Sequence, residues 1–191
     1  MSTKVFVVTA ALLLAFPVGA FAQDEGDKAY TPGTLLNKLH GEYQQQLELA
    51  KLVTEKSKNQ EVVEFASTML REHEQGAAKI KQVAEAKGIA LMPSKPTSEA
   101  GIQREKENAA WVAKLKTMSG NDFDREYMTM VATRHDKTVA LLKAAKTEVK
   151  DPQVVTLIGE LQPTEQKHAD RAEVIAVKCG AKPEDFDRER T

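Results

Sequence analysis

The pattern of apolar and polar positions predicts four long amphipathic helices. Apolar residues recur at steps of three and four in four segments, the spacing that places them on one face of a helix. These segments span about residues 34–57, 59–87, 121–149 and 151–178. Because each has one apolar face, we expect the four helices to pack as a bundle around a shared core.

Signals at the segment ends support these boundaries. Asn59 and Asp151 are suited to cap helix starts, Pro152 occupies a first helical position, and Gly88 is suited to end a helix. Residues 88–120 are too long for a tight turn and contain a shorter helical segment at about 98–118. The sequence therefore predicts an all-α four-helix bundle with a long crossover that carries the chain between the two ends of the bundle.

The chain begins with features of an export signal. Lys4 precedes an apolar run at residues 5–16, and Ala20-Phe21-Ala22 provides a cleavage site after Ala22. We therefore expect residues 1–22 to be a signal peptide and the protein to reach the periplasm. No later stretch approaches the ~20 apolar residues of a membrane helix, so no stable membrane insertion is expected.

After cleavage, the expected organisation is a flexible leader at residues 23–33, the bundle at residues 34–178, and a charged tail at residues 179–191 that frays beyond Gly180. The net charge of −1 does not favour nucleic acid as a partner. The sequence leaves open two kinds of partner, a periplasmic protein or further copies of this chain in a weak homo-oligomer. The one cysteine, Cys179, cannot form an internal disulfide, so stability must come from packing or from a metal.

Three histidines lie in register with the apolar stripes at similar heights. His73 and His135 each lie 14 residues past the expected N-cap of their helix, Asn59 and Asn121 respectively, which is about 21 Å along the helix axis. His168 is also near the middle of its helix. If the stripes face inward, the three imidazoles converge. Tyr43 and Gln46 lie at the matching height of the first helix.

Convergent imidazoles favour a transition-metal site. Glu165-x-x-His168 adds a carboxylate on the same helix face. A di-iron site would need further carboxylates three residues before His73 and His135. Those positions are occupied by Leu70 and Ala132. The prediction is one divalent ion, Zn, Cu or Fe, with ligands His73, His135, His168 and Glu165, surrounded by Gln46, Tyr43 and Tyr127. The alternative is a buried polar network without a metal, in which these groups satisfy one another.

Other chemistries find little support in the sequence. It has no glycine-rich phosphate loop, no recognisable nucleophile motif and no haem-attachment motif. Charged residues beside the histidines, such as Glu72 and Arg134, are interpreted as a solvated face. An enzyme is therefore not favoured, although a redox enzyme with an open coordination position is kept as a third hypothesis.

Several motifs together resemble a bacterial exported domain of unknown function, often labelled "predicted outer membrane protein", over about residues 34–177. The resemblance implies a ferritin-like bundle in the periplasm with no established activity. The motifs are Leu49-Ala50-Lys51-Leu52, Glu72-His73, Met118-Ser119-Gly120, Phe123-Asp124-Arg125, Tyr127-Met128, His135, Asp151-Pro152, Leu161, Pro163 and His168.

Two functional hypotheses follow from different classes. The first is an exported metal-binding bundle that acts in metal handling or in envelope or oxidative stress. The alternative is a non-catalytic structural or interaction protein of the cell envelope, in which the histidines hold no metal. Metal-dependent stability distinguishes them, because an ion that binds only the folded state raises its stability.

Overall fold

The computed structural model describes residues 30–92 and 99–186, which form five α-helices and one short 3-10 helix, with no strand among them. The all-α prediction is confirmed. The expected signal peptide and residues 23–29 of the leader lie outside the described residues.

None of the described helices combines the length and the apolar character that a membrane span requires. The helices are α1 (Pro32–Lys56), α2 (Gln60–Ala86), α3 (Glu99–Thr117), α4 (Gly120–Glu148), α5 (Pro152–Lys178) and the 3-10 helix Pro183–Asp185.

The four long helices form a bundle of two hairpins. α1 pairs with α2, α4 pairs with α5, and the hairpins meet mainly where α2 packs on α5. Lys87 at the end of α2 pairs with Asp151 at the start of α5. At the opposite end, the Asn121 amide donates to the Cys179 carbonyl at 3.0 Å. α2 and α4 therefore run in the same direction, which requires the crossover that contains α3.

The core has two apolar regions separated by a polar band. One region includes Phe65, Met69 and Phe123, and the other includes Leu39 and Ile158. The polar band lies at mid-height of the bundle. Polar groups buried there are costly unless they find partners among themselves. Its buried members are Glu42, Gln46, His73, His135, Thr138, Glu165 and His168.

Both ends of the bundle differ from the predicted boundaries. α1 begins at Pro32, because Thr31 caps the helix and exchanges hydrogen bonds with Thr34, so the end of the expected leader is helical. The prediction of a frayed segment beyond Gly180 is wrong for residues 181–186, in which Ala181 and Phe186 are buried against the core. Burial of the apolar Phe186 ring stabilises this charged segment by more than the ordering of its backbone destabilises it.

The helix caps give a matched test of local stability. The Asn59 side chain accepts a hydrogen bond from the Glu61 backbone N–H at 3.0 Å, whereas Ser119, the N-cap of α4, makes no side-chain cap bond. Asn59→Ala is expected to lower the free energy of unfolding by about 1 kcal/mol. Ser119→Ala should change it by less than about 0.5 kcal/mol. Urea denaturation measures both, and equal effects would contradict the assignment of Asn59 as the stabilising cap.

Candidate metal centre

Three histidines from three helices lie together in the polar band. The ring centroids are 5.3 Å apart for His73 and His135, 5.1 Å for His73 and His168, and 5.2 Å for His135 and His168. One ring nitrogen from each lies within 4.8 Å of the other two. All three side chains are buried, with at most 2% of any residue exposed. The helix register thus brings these predicted ligands to one point.

Two of the histidines are fixed by their own helices. His73 Nδ1 lies 2.9 Å from the Met69 carbonyl, and His135 Nδ1 lies 2.7 Å from the Val131 carbonyl. A carbonyl oxygen only accepts, so each Nδ1 carries the proton. Each Nε2 is then left with a lone pair, and neither Nε2 has a hydrogen-bond partner among the residues that the structure describes.

The third histidine has the opposite orientation. His168 Nε2 donates to Glu72 Oε2 at 2.6 Å, across the contact between α5 and α2. His168 Nδ1 is buried and has no hydrogen-bond partner within the described part of the chain. The cluster therefore presents three unpaired nitrogens, namely Nε2 of His73, Nε2 of His135 and Nδ1 of His168.

A fully buried carboxylate accompanies these nitrogens. Glu165 Oε1 lies 3.6 Å from His73 Nε2, and Glu165 Oε2 lies 3.8 Å from His135 Nε2. Burial raises the pKa of Glu165 to about 8, Tyr43 opposes this rise through its hydroxyl, and the charge of Glu42 adds to it. A cation placed among these atoms would stabilise the charged carboxylate.

The histidines are held in the neutral form that binds metals. Burial lowers the pKa of His73 to about 3 and lowers that of His135 well below its usual value. Burial also lowers the pKa of His168, although Glu72 opposes this shift. Neutral imidazole is the ligating form, so at neutral pH the lone pairs are available without prior loss of a proton.

Of the three residues predicted to surround the site, Tyr43 is the one in direct contact with it. Its ring centroid is 4.7 Å from that of His73, and its hydroxyl opposes the rise in the pKa of Glu165. Gln46 is buried in the same band, and its Oε1 has no hydrogen-bond partner. Tyr127 is also buried but stacks on Phe123 with a centroid separation of 5.8 Å. It lies eight residues before His135, about 12 Å along α4, and the structure does not bring it to the cluster.

The interpretation of Glu72 and Arg134 as a solvated face is wrong. Glu72 is half-buried and bonded to His168. Arg134 lies with its guanidinium carbon 5.2 Å from the centroid of the Trp111 ring, and it donates to Gln45 and Asn108. The sequence signal for Glu72 was its position directly before His73, in the Glu72-His73 motif. Arg134 gave no comparable signal, because α3 covers it from a distant part of the sequence.

Glu42 is a further carboxylate that was not among the predicted site residues. It lies on the stripe of α1 next to Tyr43, is buried, and accepts a hydrogen bond from Thr138 at 3.3 Å. Burial raises its pKa, while the charges of Lys38 and Arg134 and the Thr138 bond act against this rise. Its charge acts on Glu165, so the two buried carboxylates belong to one polar region.

Several solved structures share this fold at low sequence identity. A DUF305 protein from Streptomyces coelicolor matches with a TM-score of 0.66 and 14% identity, covering 78% of this chain and 93% of that chain. CopM in its Cu(II)-bound form matches with a TM-score of 0.64 and 14% identity, covering 79% and 99%. CopM soaked with silver matches with a TM-score of 0.61 and 15% identity, covering 81% and 100%. These similarities establish the common fold.

The sequence comparisons agree with the resemblance noted from the motifs. No protein of curated function matches the chain. The model of the family described as "Domain of unknown function (DUF4142)" matches residues 19–175, which is most of the sequence. The chain therefore belongs to the DUF4142 family.

Proposed function

We propose that this protein binds one divalent transition-metal ion through His73, His135, His168 and Glu165. The observation that carries the proposal is the convergence of three buried histidines beside an equally buried carboxylate, with one nitrogen of each ring unpaired among the described residues. Buried polar atoms are nearly always paired in native proteins, and an unpaired set needs an explanation. A bound ion would satisfy all of these groups at once.

The donor types favour a borderline metal, with copper as the first choice. Three imidazoles and one carboxylate suit Zn, Cu or Fe, and Cu(II) binds tightest among divalent ions at a given nitrogen and oxygen site. CopM, which shares the fold, has been determined with Cu(II) and with silver. The one thiol, Cys179, lies beside Asn59 at the end of the bundle, about 21 Å along the axis from His73. The site therefore relies on nitrogen and oxygen donors.

Binding requires a contraction of the cluster. Ligand nitrogens about 2.0–2.1 Å from one ion in tetrahedral geometry are about 3.4 Å apart. One ring nitrogen from each histidine now lies within 4.8 Å of the other two, so the separations need to shorten by at most about 1.4 Å.

Burial of all four donors supports a role in holding an ion. His73, His135, His168 and Glu165 are each at most 2% exposed, so an ion among them would be shielded from solvent and substrates. Together with the export signal predicted at residues 1–22, this arrangement supports metal handling in the periplasm. The competing function is a structural or interaction protein of the envelope in which the same groups form a metal-free polar network.

A thermal melt of the purified protein, stripped with a chelator and then given one metal at a time, tests the proposal. Zn(II), Cu(II), Fe(II) and Mn(II) are compared at equal concentration. A ligand specific to the folded state should raise the free energy of unfolding by about 2.7 kcal/mol at a hundred times its dissociation constant. We expect the largest rise in melting temperature with Cu(II).

The control variants separate this site from adventitious binding. His135→Gln and the double variant His135→Ala/His168→Ala should lose the response to metal. His40→Ala removes the one histidine outside the cluster and should retain it. A protein that no metal stabilises, or an equal response in all the variants, would favour the structural network.

A further inference from the structure

His168 differs from the other two histidines in what fixes its ring. His73 and His135 each donate Nδ1–H to a carbonyl of their own helix, a contact that follows from helix geometry alone. His168 donates Nε2–H to a carboxylate from a different helix at 2.6 Å. Its orientation therefore depends on Glu72 and on the contact between α2 and α5.

We infer that Glu72 is a positioning residue of the centre, which holds His168 in the tautomer that presents Nδ1 to the ion. This inference rests on the proposed metal site and adds to it a residue that does not itself bind the ion. A carboxylate that accepts a proton from the distal nitrogen of a ligating histidine fixes the ring and raises its basicity.

The surroundings of Glu72 are consistent with this task. Its side chain is 21% exposed, whereas that of His168 is 3% exposed, so the carboxylate is at the boundary between the buried cluster and solvent. Lys167 Nζ lies 3.4 Å from Glu72 Oε1, and Arg71 lies 3.8 Å from the same atom. The cations contact Oε1, and the histidine contacts Oε2. Each oxygen thus has a separate partner, and Oε2 remains available to His168.

Without Glu72 the ring would lose the group that distinguishes its two nitrogens. Phe65 contacts the His168 ring edge-on at 6.0 Å and cannot accept the Nε2 proton as a carboxylate does. Free imidazole exchanges readily between tautomers, and the form protonated on Nδ1 directs a proton at the ion instead of a lone pair. A fraction of the molecules would then lack the third nitrogen ligand.

The test combines a tautomer measurement with a binding measurement. Protein labelled with 15N in its histidines is examined by NMR in the metal-free state, and Cu(II) and Zn(II) affinities are measured by competition with a chelator. In the wild type, His168 should be protonated on Nε2 only. Glu72→Ala should give a mixture of tautomers and weaken metal binding by about 10- to 100-fold.

Two further variants isolate the hydrogen bond from other effects. Glu72→Gln keeps an acceptor oxygen and should preserve the Nε2-protonated form with an affinity between those of the wild type and Glu72→Ala. Lys167→Ala removes a cation that touches Glu72 but not His168, and it should resemble the wild type.

An unchanged His168 tautomer in Glu72→Ala would overturn the inference, as would a changed tautomer with wild-type affinity. If the wild type binds neither metal, the proposed function fails. The NMR spectra of the metal-free proteins then still decide whether Glu72 orients His168.

Discussion

The metal-free protein is expected to lose stability as the pH falls from 6.5 to 4.5, because its buried histidines resist protonation. The pKa of His73 is lowered by burial from 6.5 to about 3, and those of His135 and His168 are also lowered. The unfolded chain therefore binds more protons than the folded chain below pH 6.5, which favours unfolding. For His73 alone the loss over this interval is about 2 kcal/mol.

Glu165 acts with the opposite sign. Its folded pKa of about 8 lies above its ordinary value of 4.5, so the folded chain binds more protons between these limits. Stability from this group rises as the pH falls from about 8 to 4.5, by about 2 kcal/mol between pH 6.5 and pH 4.5. Glu165 thus offsets His73. The net loss therefore comes from His135 and His168, whose pKa values burial also lowers.

Urea titrations at pH 8, 6.5 and 4.5, with a chelator present, measure this profile. Glu165→Gln removes the opposing contribution, so its loss between pH 6.5 and pH 4.5 should exceed that of the wild type by about 2 kcal/mol. The comparison concerns the change with pH, because the substitution also alters contacts at every pH. A flat profile for Glu165→Gln would show that the native histidines are solvated or already charged.

Gly76→Ala is expected to destabilise the protein and to weaken metal binding. A Cβ at position 76 would lie 2.3 Å from Tyr43 Cε1 and 3.2 Å from two other ring atoms. The Tyr43 ring is buried between Gly76 and His73 and cannot move without disturbing the cluster. Overpacking of this kind costs about 1–3 kcal/mol. Because the Tyr43 ring packs on His73, its displacement should lower the affinity for metal.

Gly159→Ala is the matched control. Gly159 is also within a helix, but it is exposed and a Cβ there would meet nothing within 4 Å. Alanine is the better helix former, so this variant should gain up to about 1 kcal/mol. Urea denaturation and metal titration of both variants check the pair. Equal stability of Gly76→Ala and Gly159→Ala would mean that Tyr43 is free to shift, and its role beside His73 would have to be abandoned.

The parts of this structure that depend on position along one helix could be predicted from the sequence. The spacing of apolar residues placed the four long helices to within a few residues, and mid-helix positions put His73, His135 and His168 at one height. Glu165 was found because it lies three residues before His168 on the same face. Each of these inferences uses only the helical repeat, which is the same in every protein.

Relations between helices could not be predicted in the same way. Glu72 was taken for a solvated residue because it lies beside the stripe of α2, yet it reaches His168 on α5. The rotation and axial shift of one helix against another depend on the packing of many side chains, which periodicity does not specify. The same reason explains why Tyr127 was expected at the histidines but stacks on Phe123, and why Phe186 was not expected to be buried.

The candidate ligands are divided between the two hairpins. His73 belongs to the first hairpin, whereas His135, His168 and Glu165 belong to the second. Neither hairpin holds the full donor set, so the centre is assembled only when the two have docked. A metal ion should therefore bind late in folding, and it should slow unfolding while leaving the folding rate nearly unchanged. In kinetic terms the ion raises the barrier to separation of the two docked hairpins.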